Sequence, residues 1–214
     1  MRYTLFIFLI ISFIKAHGQF SSNVGLGLSS SYVPEYVDFE PQFSFTGSVN
    51  MRYQVSERFG ILSGVNYINK RYQYFGSYID GLGQRPYVIA SLSNKVLEVP
   101  VILEYRIGRS ILFGAGVFGN GTTRFTSKGY TQIRNTSQEP IQFEHVNKLN
   151  GFFDWGPCVK FGLFAPNGIG LDLYFSAGTE VFKTTYDIEV NWVNASLQMI
   201  YPLSNLLRKM EAKR

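Results

Sequence analysis

Strict period-two alternation from Phe43 to Val55 constrains this chain more than any other feature. Phe43, Phe45, Gly47, Val49, Met51, Tyr53 and Val55 fall on one side; Ser44, Thr46, Ser48, Asn50, Arg52 and Gln54 fall on the other. Successive side chains of an extended backbone point to opposite faces, so this is a β-strand with two chemically different sides. It is longer than the roughly 9–11 residues that a tilted strand needs to cross a bilayer.

Seven further segments repeat the pattern: Val24 to Ser29, Gly60 to Tyr74, Leu97 to Arg106, Ile111 to Val117, Trp155 to Phe164, Ile169 to Ala177 and Ile188 to Tyr201. Pro100 has no N–H for a ladder and marks a bulge or local irregularity. Short connections at Ser56-Glu57-Arg58, Gly108-Arg109-Ser110 and Ala165-Pro166-Asn167-Gly168 alternate with long ones at about 33–42, 75–94, 120–152 and 178–186. A meander that crosses a membrane produces this rhythm, with short periplasmic turns and long external loops. The expected fold is all-β, an eight-stranded antiparallel up-and-down transmembrane β-barrel with both termini in the periplasm.

A soluble lipocalin-like barrel is the structural rival, because alternation alone does not say which face is inside. Composition separates the two. Charged residues are 16%, against roughly 25% in ordinary soluble domains, while aromatics reach 16% and glycines number 21. The polar faces carry Ser, Thr, Asn and Gly rather than the Lys and Glu of a solvated sheet, which suits a narrow lumen. The other faces are large and aromatic, which suits lipid.

The start of the chain reads as a signal peptide over residues 1–18. Arg2 precedes the apolar run Leu5 to Ile14, and Ala16-His17-Gly18 places small residues at −3 and −1 of a cut before Gln19. The run is about half of the ~20 residues that a spanning helix needs. The barrel domain is then 19–202, followed by a short basic tail, 203–214, either a short periplasmic helix or a frayed end. Loss of Arg2 and Lys15 lowers the formal charge from +5 to about +3, with the cations scattered, so no nucleic-acid partner is expected. The single cysteine, Cys158, excludes an intramolecular disulfide and a Cys-based metal cluster. It reads as a small residue packed inside.

Leu97-Glu98-Val99-Pro100-Val101-Ile102-Leu103-Glu104-Tyr105 resembles a strand of the PorT-like outer-membrane β-barrel proteins of Bacteroidetes. Gly64-Val65-Asn66-Tyr67 and Gly114-Ala115-Gly116 resemble the strands that flank it in that family. The resemblance implies the barrel fold, an outer-membrane location and a link to secretion or uptake assemblies. It implies no mechanism, and the tail after Tyr201-Pro202 departs from barrels that end on an aromatic strand residue.

Gly114-Ala115-Gly116-Val117-Phe118-Gly119 spells a dinucleotide fingerprint, but such a site needs a helix to follow, and Asn120-Gly121-Thr122-Thr123 follows instead. No nucleotide, cofactor or metal is expected; the glycines make room in the lumen. The mature chain has one histidine, His145, and on a strand Glu144 points away from it, so an enzyme is not expected. Inward-pointing charges form the better candidate site: Arg52, Lys70, Glu98, Glu104, Arg106, Lys160 and Asp172. Within that group, Arg52, Glu98, Glu104, Lys160 and Asp172 are expected to form one charge network that closes the lumen, because buried charges must pair. Tyr53, Phe59 and Tyr105 near the short turns, and Tyr72, Tyr74, Trp155 and Trp192 toward the long loops, fall where interface belts would lie; the alternative is packing among extended strands above the membrane. The partners expected are outer-membrane lipid and envelope proteins. The functional expectation is a non-enzymatic structural or accessory barrel, with a narrow porin and a lipid-modifying enzyme as alternatives.

Overall fold

Alternation of bulky apolar with small polar residues carries the described residues into nine antiparallel strands. They are β1 (Gln19–Tyr32), β2 (Phe39–Gln54), β3 (Phe59–Ser77), β4 (Pro86–Ile107), β5 (Ile111–Ile133), β6 (Ile141–Asn147), β7 (Phe153–Phe164), β8 (Gly170–Lys183) and β9 (Asp187–Pro202). The computed structural model describes residues 19–34, 39–77, 86–133, 140–147, 153–183 and 187–204. Residues 1–18, where a signal peptide is expected, and the tail beyond Ser204 lie outside them.

Each of β1 to β4 pairs with its successor, β5 pairs with β7, and β7 to β9 continue the ladder. β9 then returns to β1, with Asn23 opposite Pro202 and Tyr32 opposite Val193. The sheet closes on itself as an eight-stranded barrel. β6 stands outside the ring: it pairs with Phe125–Thr131 of β5, beyond Gly121, where β7 takes over.

The long connections are shorter than the alternation implied. β4 already begins at Pro86 and β5 runs on to Ile133, so much of 75–94 and 120–152 is strand. The physical reason is that ladder hydrogen bonds persist beyond the lipid, whereas the apolar face that reveals a strand in sequence does not. The three tight turns fall where expected. Val55 N–H donates to Phe59 O at 2.9 Å, and Gly168 N–H donates to Ala165 O at 2.9 Å. Gly108 (φ 64°) and Gly168 (φ 80°) supply left-handed corners that a side chain would strain. The termini of the ring lie at this same end, since Gln19 pairs with Gln54.

Burial is inverted relative to a soluble barrel. Leu26, Phe45, Met51, Leu97, Val99, Val101, Leu103, Phe113, Val117 and Met199 point outward, while Thr46, Asn50, Arg52, Glu98, Glu104, Lys160, Asn194 and Gln198 are buried inside. On β4 the outward apolar row runs from Leu97 to Ile107. Those ten steps cover about 33 Å along the strand, or roughly 25 Å of height at a 40° tilt, the depth of an outer-membrane apolar band. Phe20 against Tyr53 (5.0 Å between centroids) and Phe59 against Tyr105 (5.1 Å) mark its short-turn edge.

The aromatics assigned to the other edge divide. Trp155 is 70% exposed and faces outward, but Tyr72 and Trp192 are buried inside the barrel. Tyr74, paired with the buried Ala90, shares the parity of Tyr72 and faces inward as well. Parity decides this: Trp192 alternates with the outward Val193, and Tyr72 with the outward Arg71.

Pro100 interrupts without bulging. The β3–β4 ladder lapses between Ser63 opposite Val101 and Asn66 opposite Glu98, then resumes in the same register, while Pro100 stays opposite Phe118 on β5. True register shifts occur at Gln42/Thr46 and at Lys95/Val96.

The Gly114–Gly119 run is an unbroken strand, so no helix N-terminus is available there for a pyrophosphate. Gly114 and Gly116 are steric requirements. A Cβ on Gly116 would lie 2.8 Å from Ile102 Cα, against backbone that has no room to move. Gly116→Val is expected to cost about 1–3 kcal/mol or to prevent closure. The temperature at which the compact gel form is lost reads this directly, and a wild-type value would refute the steric argument.

Candidate functional site in the barrel lumen

Strand parity sends one residue in two into a space only wide enough for side chains. Near the short-turn end four strands each contribute a charge: Arg52 from β2, Glu104 from β4, Lys160 from β7 and Asp172 from β8. Arg52 grips Glu104 with both Nε and Nη2, the latter 3.2 Å from Oε1. Lys160 Nζ lies 3.2 Å from Glu104 Oε1 and 2.7 Å from Asp172 Oδ2. All four side chains are at most 9% exposed. The set is neutral as a whole, so each ion removed from water finds an opposite charge beside it. The Phe164 ring lies 5.4 Å below the Arg52 guanidinium.

Room for this set comes from its ladder neighbours. Glu104 sits between Gly60 on β3 and Gly114 on β5, and Lys160 also faces Gly114. Asp172 faces Gly162. Above the tetrad, Leu62, Ile102, Cys158 and Tyr174 belong to one buried cluster with Phe118 and Trp192. Beside it, hydrogen bonds run in one direction: Asn50 Nδ2 donates to Ser48 Oγ (3.1 Å), and Ser48 donates to Gln198 Oε1 (2.6 Å). A void of about 20 Å³ remains between Asn50, Leu62, Ile102, Asp172, Tyr174 and Gln198. That is room for about one water and nothing larger.

Glu98 does not join the tetrad. It lies six residues from Glu104 on the same strand, roughly 20 Å along the backbone. Its partners are Tyr174, whose hydroxyl donates at 2.6 Å, and Asn66, whose Nδ2 donates at 3.3 Å. A second group lies toward the long-loop end. Lys70 Nζ stands 3.2 Å from the centroid of the Trp192 ring. The Trp192 indole N–H donates to Asp154 Oδ2 at 3.2 Å, Asn120 donates to the same oxygen at 3.4 Å, and the Thr179 amide donates to Oδ1 at 3.3 Å.

Of the inward charges expected from sequence, Arg52, Glu104, Lys160 and Asp172 meet one another, and Glu98 and Lys70 occupy the upper lumen. Arg106 is half-buried at the short-turn rim, lining a small void with Arg52 and Glu104. Tyr174, Trp192 and Asp154 were not expected in the lumen. Their parity carried the signal: Trp192 aligns with Asn194, Ser196 and Gln198, and Asp154 aligns with Gly156, Cys158 and Lys160. His145 stands in register with Ser127 on the extension beyond the ring.

An apolar exterior one bilayer tall around a polar, packed interior is the arrangement of a membrane barrel. Residues 15–179 match the family described as outer membrane protein beta-barrel domain. The chain belongs to this outer-membrane β-barrel family. Membership places it in the outer membrane, in contact with the lipid bilayer. No curated protein matches the chain. Among solved structures it is similar to Ail, the attachment invasion locus protein of Yersinia pestis, determined in complex with the heparin analogue sucrose octasulfate. That match has 12% identity and a TM-score of 0.39, covering 86% of this chain and 99% of that one. Neisserial surface protein A gives 9% identity and a TM-score of 0.40 over 85% and 95% of the two chains. The Ralstonia pickettii toluene transporter TbuX gives 9% and 0.34 over 85% and 89%.

Proposed function

We propose that this family member is a closed, non-enzymatic barrel, a structural or accessory component of the envelope. The observation that carries the reading is the filled lumen. The Arg52–Glu104–Lys160–Asp172 tetrad reaches across it from four strands, with a void of only about 20 Å³ beside it. Charges locked in mutual pairs inside a packed interior plug the barrel and set its geometry; they leave no path for ions, and none of the four is an accessible acid or base. Residues 1–18 act as the export signal in this reading. The termini and tight turns face the periplasm, and the β4–β6 extension faces outward, where it offers a surface to envelope partners. The Leu97–Tyr105 strand supports placing the chain among the PorT-like barrels of Bacteroidetes, and with them a link to secretion or uptake assemblies.

Reconstitution of the mature chain in planar bilayers tests the plug. The expected result is no discrete conductance steps above leak at moderate voltage. Steps that persist in wild type and change size in Lys160→Gln would replace this reading with a narrow channel.

A further inference from the structure

The outward face of β3, β4 and β5 changes character within one rung. Tyr67, Leu97 and Gly121 lie side by side on the last apolar rung. The next holds Asn69, Lys95 and Arg124, and the one above it holds Arg71, Ser93 and Thr126. Arg71 and Arg124 are exposed and Lys95 is half-buried. Three cations therefore crowd the long-loop edge of the apolar band.

Arg124 is there because of a bulge. The β4–β5 register shifts between Lys95 and Val96, which leaves Thr123 unopposed and turns Arg124 from the parity of the buried Asn120 and Thr122 onto the outer face. The Thr123 hydroxyl donates to Lys95 O at 2.9 Å and pins the bulge. Bulges re-aim side chains in this way. Here the result sets Lys95 and Arg124 directly opposite each other, a like-charge pairing that ordinarily destabilises a sheet. Among the described residues none of these three cations has an ion-pair partner, whereas Lys128, two rungs higher than Lys95, is matched by Glu144 at 2.7 Å. Cations at headgroup depth attract lipid phosphate.

We propose that Arg71, Lys95 and Arg124 form a binding site for the phosphate groups of a phosphorylated glycolipid in the outer leaflet. This rests on the reading that the long-loop end faces outward. The bridging phosphates relieve the Lys95–Arg124 repulsion, and the glycolipid's chains lie against Leu97 and Val99 below.

The test refolds the mature chain into phosphatidylcholine nanodiscs alone, with lipid A, with dephosphorylated lipid A, or with inorganic phosphate in the buffer. Lipid A is expected to raise the temperature at which the compact gel form is lost, and the other three conditions are not. In Lys95→Gln/Arg124→Gln the rise disappears, and lipid A retained in native mass spectra falls roughly 25-fold, about fivefold per cation. The same variant in phosphatidylcholine alone is as stable as wild type or more so, a sign change that a purely structural role would not give. Lys95→Arg keeps the rise. The proposal is overturned by equal stabilisation of wild type and the double variant, by a rise with dephosphorylated lipid, or by a rise with free phosphate. It is also overturned by a double variant that is weaker in phosphatidylcholine alone. Orientation is read separately, by labelling Ser91→Cys with an impermeant maleimide in intact cells. Absence of labelling overturns the orientation and the site with it; labelling without a lipid A effect overturns the site alone.

Discussion

Glu104→Ala destabilises the folded barrel by about 3–5 kcal/mol, the usual cost of leaving buried charge uncompensated. Glu104 is the hub of the tetrad, accepting from both Arg52 and Lys160 while its side chain is 2% exposed. Its removal strands the Arg52 guanidinium and leaves Lys160 with Asp172 alone. Glu104→Gln keeps the shape but not the charge and falls between wild type and alanine. Arg52→Met combined with Glu104→Leu removes one cation and one anion together, leaves the Lys160–Asp172 pair intact, and recovers most of the loss. The measurement is the midpoint of urea unfolding in lipid vesicles. A double variant no better than Glu104→Ala would mean that packing, rather than charge balance, holds this end of the lumen.

Trp192→Ala is the second large effect, about 3–5 kcal/mol from the emptied volume alone. Trp192 is 1% exposed and packs against Phe118 at 5.7 Å between ring centroids. The indole also supplies a face to Lys70 and an N–H to Asp154. Trp192→Phe restores a ring for Phe118 and Lys70 but not the donor, so it loses only about 1 kcal/mol beyond the difference in size. A phenylalanine variant as damaged as the alanine one would assign the main role to the indole N–H. Thermal loss of the compact gel form ranks the three proteins.

The barrel was legible because the lipid imposes its chemistry on every second residue. Phe43 to Val55 states both faces of β2 outright, and the three tight turns announce themselves through Gly, Pro and polar residues. Beyond the apolar band that rule lapses. β6 and the upper halves of β4 and β5 carry mixed residues on both faces, so ladder pairing continues without a periodic signature. The lumen was legible as a set of inward residues, since parity alone puts Arg52, Glu104, Lys160 and Asp172 inside. Which of them meet depends on strand order and stagger around a closed ring, and no local pattern encodes that. Glu98 illustrates the gap: it shares a strand and a face with Glu104, yet it bonds to Tyr174 and Asn66. Trp192 and Tyr72 are the converse case: their residue type points to an interface belt, but their parity carries them inside.

The glycines opposite Glu104 carry a consequence for how such a lumen can change. Gly60, Glu104 and Gly114 occupy one level of the ring, so the volume left vacant by the two flanks is the volume that the carboxylate and its cations fill. Each level behaves as a container of constant capacity shared among neighbouring strands. A larger residue at either flank is tolerable only with a smaller one at the centre, and a new central charge only with its counter-ion. The interior therefore drifts by concerted exchanges around a level, while the lipid-facing rows, bound by no such shared capacity, are free to vary one residue at a time.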